Sequence, residues 1–247
     1  DLWKKYAPKS RAQLHPAFIT GSAIDGRNYA IPANKELAHQ WGFWFNKNLV
    51  DKYKMDVTKI KTLADAEEFF KIIKEKEPGV IPFQNLHNEN AVRVLDFDRI
   101  ADDYVPAVLY NDSKDMKVLN MLETKEFKEY IELARKYFLA GYVPADAATV
   151  SEFVTDIRAG KVFSKIESLK PFYDEERTAS WGIPCVTVAL TQPVVQTRDC
   201  TGSMQAISKT SKNPILALKF LELVNTDKYL NNLINFGIEG KHYIKIS

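Results

Sequence analysis

The stretch GFWFNKNLVDKYKMD, Gly42 to Asp56, runs from a glycine into three aromatic residues and then turns basic and polar. Aromatic side chains suit a pleated, half-buried surface. Alternation along a strand would put Phe43 and Phe45 on one face and Trp44 on the other. NKNLVDKY has helical character, so the stretch reads as a strand running directly into a helix. Two uses of its rings are open: packing in a core, or a surface held up to something the protein binds. Phe43 and Phe45 read as a core pair, whereas Trp44 and neighbouring Trp41 divide between core packing and a cleft.

Outward from this joint the chain alternates. Upstream, Asp25-Gly26 in SAIDGRNYAIP is a two-residue turn signal that delivers the chain into Tyr29 to Pro32, and ANKELAHQ is expected to form a short polar helix. Downstream, Thr62 is expected to cap the amphipathic helix TLADAEEFFKIIKEKEPG, with Asp65 following it and Leu63, Ala66, Phe69, Phe70 and Ile73 in one stripe. VIPF reads as a buried strand. Residues 84–103 carry no assignable period, and VPAVLY and MKVLNML around NDSKD form an expected hairpin. A helix from Thr124 ends at Gly141, another over residues 150–159 ends at Gly160, and KVFSKIE follows as a strand. After SLKPFYDEER come strands at WGIPCVTVAL and near GSMQAIS. Asn213-Pro214 caps ILALKFLELV, and Thr226 starts DKYLNNLINF, which Gly237 ends. Strands and helices joined by long crossovers give an α/β class. There is no internal repeat and no Gly/Ser tether, so any two lobes are joined by strands.

With 247 residues, 45% hydrophobic and 27% charged, the chain can build one large domain or two lobes. A net charge of +2, with acids and bases interspersed, lacks the basic footprint of a nucleic-acid binder. No apolar run reaches the ~18 residues of a membrane helix, and no secretory signal opens the chain. LWKKYAP reads as the tail of a helix, so an N-terminal portion is expected to precede Asp1. Cys185 and Cys200 form no metal or redox motif; a disulfide between them and two separate thiols are both open. His15, His39, His87 and His242 are scattered, so no zinc site is expected. No nucleotide, cofactor or nucleophile-elbow motif is present, and no cofactor is expected. Glu167 and Glu239, each beside small residues at the end of an element, are the carboxylates a paired-acid hydrolase would use.

From Tyr29 onward the ordered series DGRNYAIP, FNKNLVDKY, TLADAEEFFKIIK, TVSEFVTDIRAGKVFSKIES, WGIPCVTVAL and SMQAISKTSKNPILALKFLELVNTDKYL resembles the bacterial extracellular solute-binding proteins that feed sugars or oligosaccharides to ABC importers. INFGIEGKHY resembles the LipO-like lipoprotein branch of that family. The resemblance implies a type II periplasmic-binding-protein-like fold, two α/β lobes closing over a solute and joined by hinge strands. It assigns residues 1–30 to a remnant of the N-terminal lobe, residues 31–200 to a nearly complete second lobe, and residues 209–247 to helices returning to the first. The hinge strands would lie at about residues 29–46 and 200–208. It further implies an ABC permease as partner, a cell-surface or periplasmic location, a lipid anchor, and more polypeptide before Asp1 and after Ser247.

A sugar presents apolar C–H faces and a rim of hydroxyls, so its site needs flat rings and planar polar groups. The expected ligand-binding residues are Trp41, Trp44, Gln84, Asn85, Glu167, Ser168, Lys170, Arg198 and Ser203, with Asn88 read as solvated. Gln84 and Asn85 follow VIPF, at the end where α/β sheets open their crevices. The resemblance places IESLKPFYDEE where many sugar binders hold Gly-Pro-Trp against the ligand. Glu167 and Lys170 there leave open a charged or amphiphilic solute, or a salt bridge between the two. Glu239 and His242 would anchor further polypeptide. Two other functions stay in view: an extracytoplasmic glycan-processing enzyme using Glu167 and Glu239, and an adhesion or scaffold lipoprotein on the same fold.

Overall fold

The computed structural model describes residues 2–34, 37–85, 91–101, 105–150 and 154–245. The chain folds as two compact units, Asp1–Leu37 with Gln196–Ser247, and Ala38–Val195.

The first unit begins with α1 (Leu2–Tyr6), α2 (Pro8–Gln13) and α3 (Pro16–Gly21). Pro8 and Pro16 stand at first helical positions, where a missing N–H costs nothing. Ile24 then bridges Arg27 across Asp25 and Gly26, both left-handed at φ 50° and 72°, as a tight hairpin turn requires. β1 (Ile31–Pro32) follows. The helix expected over ANKELAHQ does not form among its described residues. Ala33 N–H donates to the Ser203 carbonyl and His39 N–H to the Val194 carbonyl, so these donors serve neighbouring extended segments instead of a helical turn.

The second unit is organised on β2 (Gln40–Asn46). α4 (Lys47–Lys52) starts at once, because Asn46 Oδ1 accepts the Asn48 N–H and caps it. Asp65 Oδ2 accepts the Lys61 and Thr62 N–H groups at 2.9 and 2.8 Å, and a short 3-10 turn leads into α5 (Glu67–Lys76). Within the unassigned stretch lies β3 (Phe97–Arg99), which pairs with β4 (Ala107–Tyr110) of the expected hairpin; β4 in turn pairs with β5 (Leu119–Asn120). α6 (Lys125–Leu139) is capped by Thr124 Oγ1 on the Phe127 N–H. Then come α7 (Val154–Arg158), β6 (Ser164–Leu169), α8 (Tyr173–Trp181) and β7 (Cys185–Ala189). α8 is an addition to the elements expected from sequence. Its first turn carries Asp174, Glu175 and Glu176 against the helix dipole, and Gly182 closes it at φ 75°.

β2 is the centre of an antiparallel sheet, with β6 on one side and β7 on the other. Phe43 pairs with Ile166 and Val188, and Trp44 pairs with Lys165 and Thr187. The two faces therefore bury different sets. Phe43 and Phe45 stack at 4.9 Å and join Phe70, Phe83 and Tyr137 in the main core. Trp44 meets Trp181 edge-on at 5.5 Å on the opposite face, with Ile157, Leu169 and Cys185. Gly42 has a steric reason: a Cβ there would fall 2.2 Å from the Val188 carbonyl oxygen.

The chain re-enters the first unit to form β8 (Met204–Gln205), antiparallel to β1, then α9 (Pro214–Thr226) and α10 (Lys228–Phe236). Asn213 caps α9 through the Leu216 N–H. The cap of α10 is Asp227 instead of the expected Thr226, whose hydroxyl donates back to Glu222. Cys185 and Cys200 are buried thiols, with their sulfurs directed at the carbonyls of Asp174 and Ala17.

Candidate functional site

In the Ala38–Val195 unit, the segment 81–84 runs parallel to β6, with Ile81 bridging Val162 and Gln84 bridging Lys165. β2 runs antiparallel to both, so its start lies beside the end of β6, with Trp41 opposite Ser168. The topology thus gathers Trp41, Gln84, Asn85, Glu167, Ser168 and Lys170 at one end of the sheet. It is the carboxyl end of the parallel segments, where α/β sheets open their binding crevices.

The aromatic candidates separate here. Trp41 is half-buried, edge-on to His39 at 5.9 Å and with the Arg93 guanidinium 5.5 Å from its ring centre. Trp44 belongs to the core: its face of β2 is covered by α8, and the ring is wholly buried. A further ring, not among the expected residues, stands nearby. Phe172 precedes α8 at φ 60°, ψ 23° and is 80% exposed. A left-handed backbone is costly for a bulky side chain, of order 1–3 kcal/mol, and packing does not offset it. Its sequence signal is the proline before it and the acidic run after it, which together mark a helix start.

Among the polar candidates, Gln84 is 2% exposed, and its Oε1 has no hydrogen-bond partner. Asn85 Oδ1 accepts the Ala91 N–H at 2.8 Å. Asn88 lies outside the described residues. Glu167 and Lys170 do not pair with each other. The Lys165 ammonium, 0% exposed, sits 2.6 Å from Glu167, which is 16% exposed, and Lys170 pairs with Glu176 at 2.6 Å. The Arg177 guanidinium covers the rings of Tyr173 and Trp181 at 4.7 and 4.8 Å. Burial, reinforced by the Glu167 charge, pushes the Tyr173 phenol far above its ordinary range, so it stays protonated.

Arg198 and Ser203 belong to the other unit. Both are exposed, Arg198 in a short 3-10 turn and Ser203 just before β8. Glu239 pairs with Lys245 at 3.1 Å, and His242 Nδ1 accepts the Ile238 N–H, so both are tied into the segment after α10. A cavity of about 640 Å³ in this unit is lined by Trp3, Tyr29, Gln205, Lys209 and Leu218 among others, and by none of the nine expected ligand residues. Among the described residues no cluster of His, Cys, Asp and Glu could hold a metal ion, and no helix is long and apolar enough to cross a membrane.

No family model matches the sequence. A carbohydrate ABC transporter substrate-binding protein of Streptococcus pneumoniae is 30% identical over 250 residues, covering all of this chain and 50% of that protein. The chain therefore spans about half the length of this curated relative. The crystal structure of an N-glycan transport solute-binding protein from Streptococcus pneumoniae superposes on the whole chain with a TM-score of 0.87 at 28% identity, over 54% of its own length. The same protein in complex with Man5GlcNAc gives 0.81. An alginate-binding protein shares the fold, with a TM-score of 0.67 at 17% identity over 97% of this chain and 52% of its own. By sequence and by fold, the chain is similar to about half of a carbohydrate ABC transporter substrate-binding protein.

Proposed function

We propose that the chain is part of an extracytoplasmic receptor that binds an oligosaccharide and presents it to an ABC import permease, with a lipid anchor attaching the receptor to the membrane. The observation that carries this reading is the match of the whole chain to 54% of an N-glycan transport solute-binding protein, at a TM-score of 0.87. The sheet end supplies suitable chemistry. Trp41 and Phe172 offer rings to sugar C–H faces, while the Gln84 carbonyl oxygen and the Ser168 hydroxyl offer directed hydrogen bonds. Arg198 and Ser203 are proposed contacts from the other unit. Transport then needs no bond-making, only a solute that favours one conformation over another.

Titration calorimetry of Man5GlcNAc into the full-length protein, with product analysis afterwards, tests the proposal. Saturable binding with the glycan recovered intact is the expected result. Cleavage of the glycan, lost in Glu167→Gln, would establish an enzyme instead, and indifference to every glycan together with capture of a protein ligand would leave a scaffold.

A further inference from the structure

The first unit, Asp1–Leu37 with Gln196–Ser247, leaves apolar surface uncovered. α9 reads PILALKFLELVNT, with Lys219 and Glu222 its only charges, and a helix apolar on so many sides is one built to be enclosed. Of its residues only Leu218 is buried. Leu216, Phe220 and Leu223 lie on one face at helical spacing, and all are exposed. α10 buries none of its residues, although Tyr229 and Phe236 are among them.

The small sheet of this unit is open as well. β1 and β8 are two residues each, and a lone two-stranded ribbon is marginal in water. Ala33 N–H donates to the Ser203 carbonyl, which makes Ile31 and Gln205 the next hydrogen-bonded pair along the register. Pro32 and Met204, between those pairs, therefore turn their main-chain groups outward. On the β1 side that edge is blunted by a proline without an N–H; on the β8 side Met204 presents a donor and an acceptor. The cavity of about 640 Å³ adjoins this ribbon, and Trp3, Ile31, Ile207, Leu218 and Leu221 in its lining offer apolar surface to a third strand.

Length indicates the occupant. The chain spans 50% of its curated relative and 54% of the superposed N-glycan solute-binding protein, so a receptor of that length holds about as much polypeptide again. Resting on the reading of the chain as part of such a receptor, we propose that the first unit is the docking surface for that remaining polypeptide, which adds a strand to β8 on the side away from β1 and covers the Leu216, Phe220 and Leu223 face of α9.

The test uses the full-length protein, with hydrogen exchange at the Met204 amide and maleimide labelling of Phe220→Cys, each compared with the same protein unfolded in urea. Both should react at least about 100-fold more slowly in the native state, at every protein concentration. Native rates within about tenfold of the unfolded ones at either position would overturn the inference. Protection that appears only as protein concentration rises would assign the surface to a second copy and overturn it as well. Glycan titration of the same preparation scores the receptor reading separately: a receptor that binds glycan while Met204 and Phe220→Cys react freely refutes the docking surface alone.

Discussion

Replacing Lys165 with methionine isolates the buried pair beneath α8. The lysine side chain is 0% exposed and its ammonium lies 2.6 Å from Glu167, so the gross attraction at an effective dielectric of 20 is roughly 6 kcal/mol. Much of that offsets the desolvation of two ions, and the intact pair contributes little net stability. Lys165→Met removes the attraction but leaves the Glu167 carboxylate in place, 16% exposed and beside the buried Tyr173 phenol. Removing one member of a fully buried ion pair costs about 3–5 kcal/mol, because the other charge is left uncompensated; the partial exposure of Glu167 brings the expectation here to about 2–4 kcal/mol. The double variant Lys165→Met, Glu167→Gln should recover at least half of the loss. Urea unfolding followed by tryptophan fluorescence reports this directly, because Trp44 and Trp181 pack in the same cluster. A single-variant loss below about 1 kcal/mol, or a double variant as unstable as the single, would refute the claim that these two charges depend on each other.

Phe172→Gly should stabilise the fold by about 1 kcal/mol, since glycine accepts φ 60° without strain, and should weaken glycan binding about tenfold through loss of the ring; calorimetry and unfolding of one preparation give both numbers. Gly42→Ala should cost about 2 kcal/mol or more in urea unfolding, because the new methyl falls 2.2 Å from the Val188 carbonyl oxygen on a central strand. Tyr137 is held above the ordinary tyrosine range by burial first and by the Glu67 charge second, while its hydroxyl donates to the Leu63 carbonyl at 2.9 Å. Because the folded value exceeds the unfolded one, this contribution is complete below about pH 10 and is lost as pH rises through the folded value. Denaturation midpoints should therefore be flat to about pH 9.5 and fall above pH 10, and Tyr137→Phe should reduce the fall.

Local signals in the sequence are enough for much of the scaffold. Alternation assigns Phe43 and Phe45 to one face of β2 and Trp44 to the other, because strand geometry admits no other arrangement. Asp25-Gly26, Thr124 and Asn213-Pro214 act through backbone groups within a few residues of themselves, so their turn and caps can be read without the fold. The acidic run that opens α8 is equally local, but the helix behind it has no strong apolar stripe to announce it.

Long-range pairing decided the site. Whether Trp44 faces a crevice or a core depends on what covers its face, and α8 does so from residues 173–181, far along the chain. Lys165 and Glu167, two residues apart on β6, share a face by alternation, but the partner of Lys170 is set by the turn that brings the first part of α8 back to the strand end, with Glu176 at 2.6 Å. Sequence order sets which side chains share a strand face or a helix turn, but burial depends on neighbours distant in sequence, and those are fixed only when the sheet and its covering helix assemble.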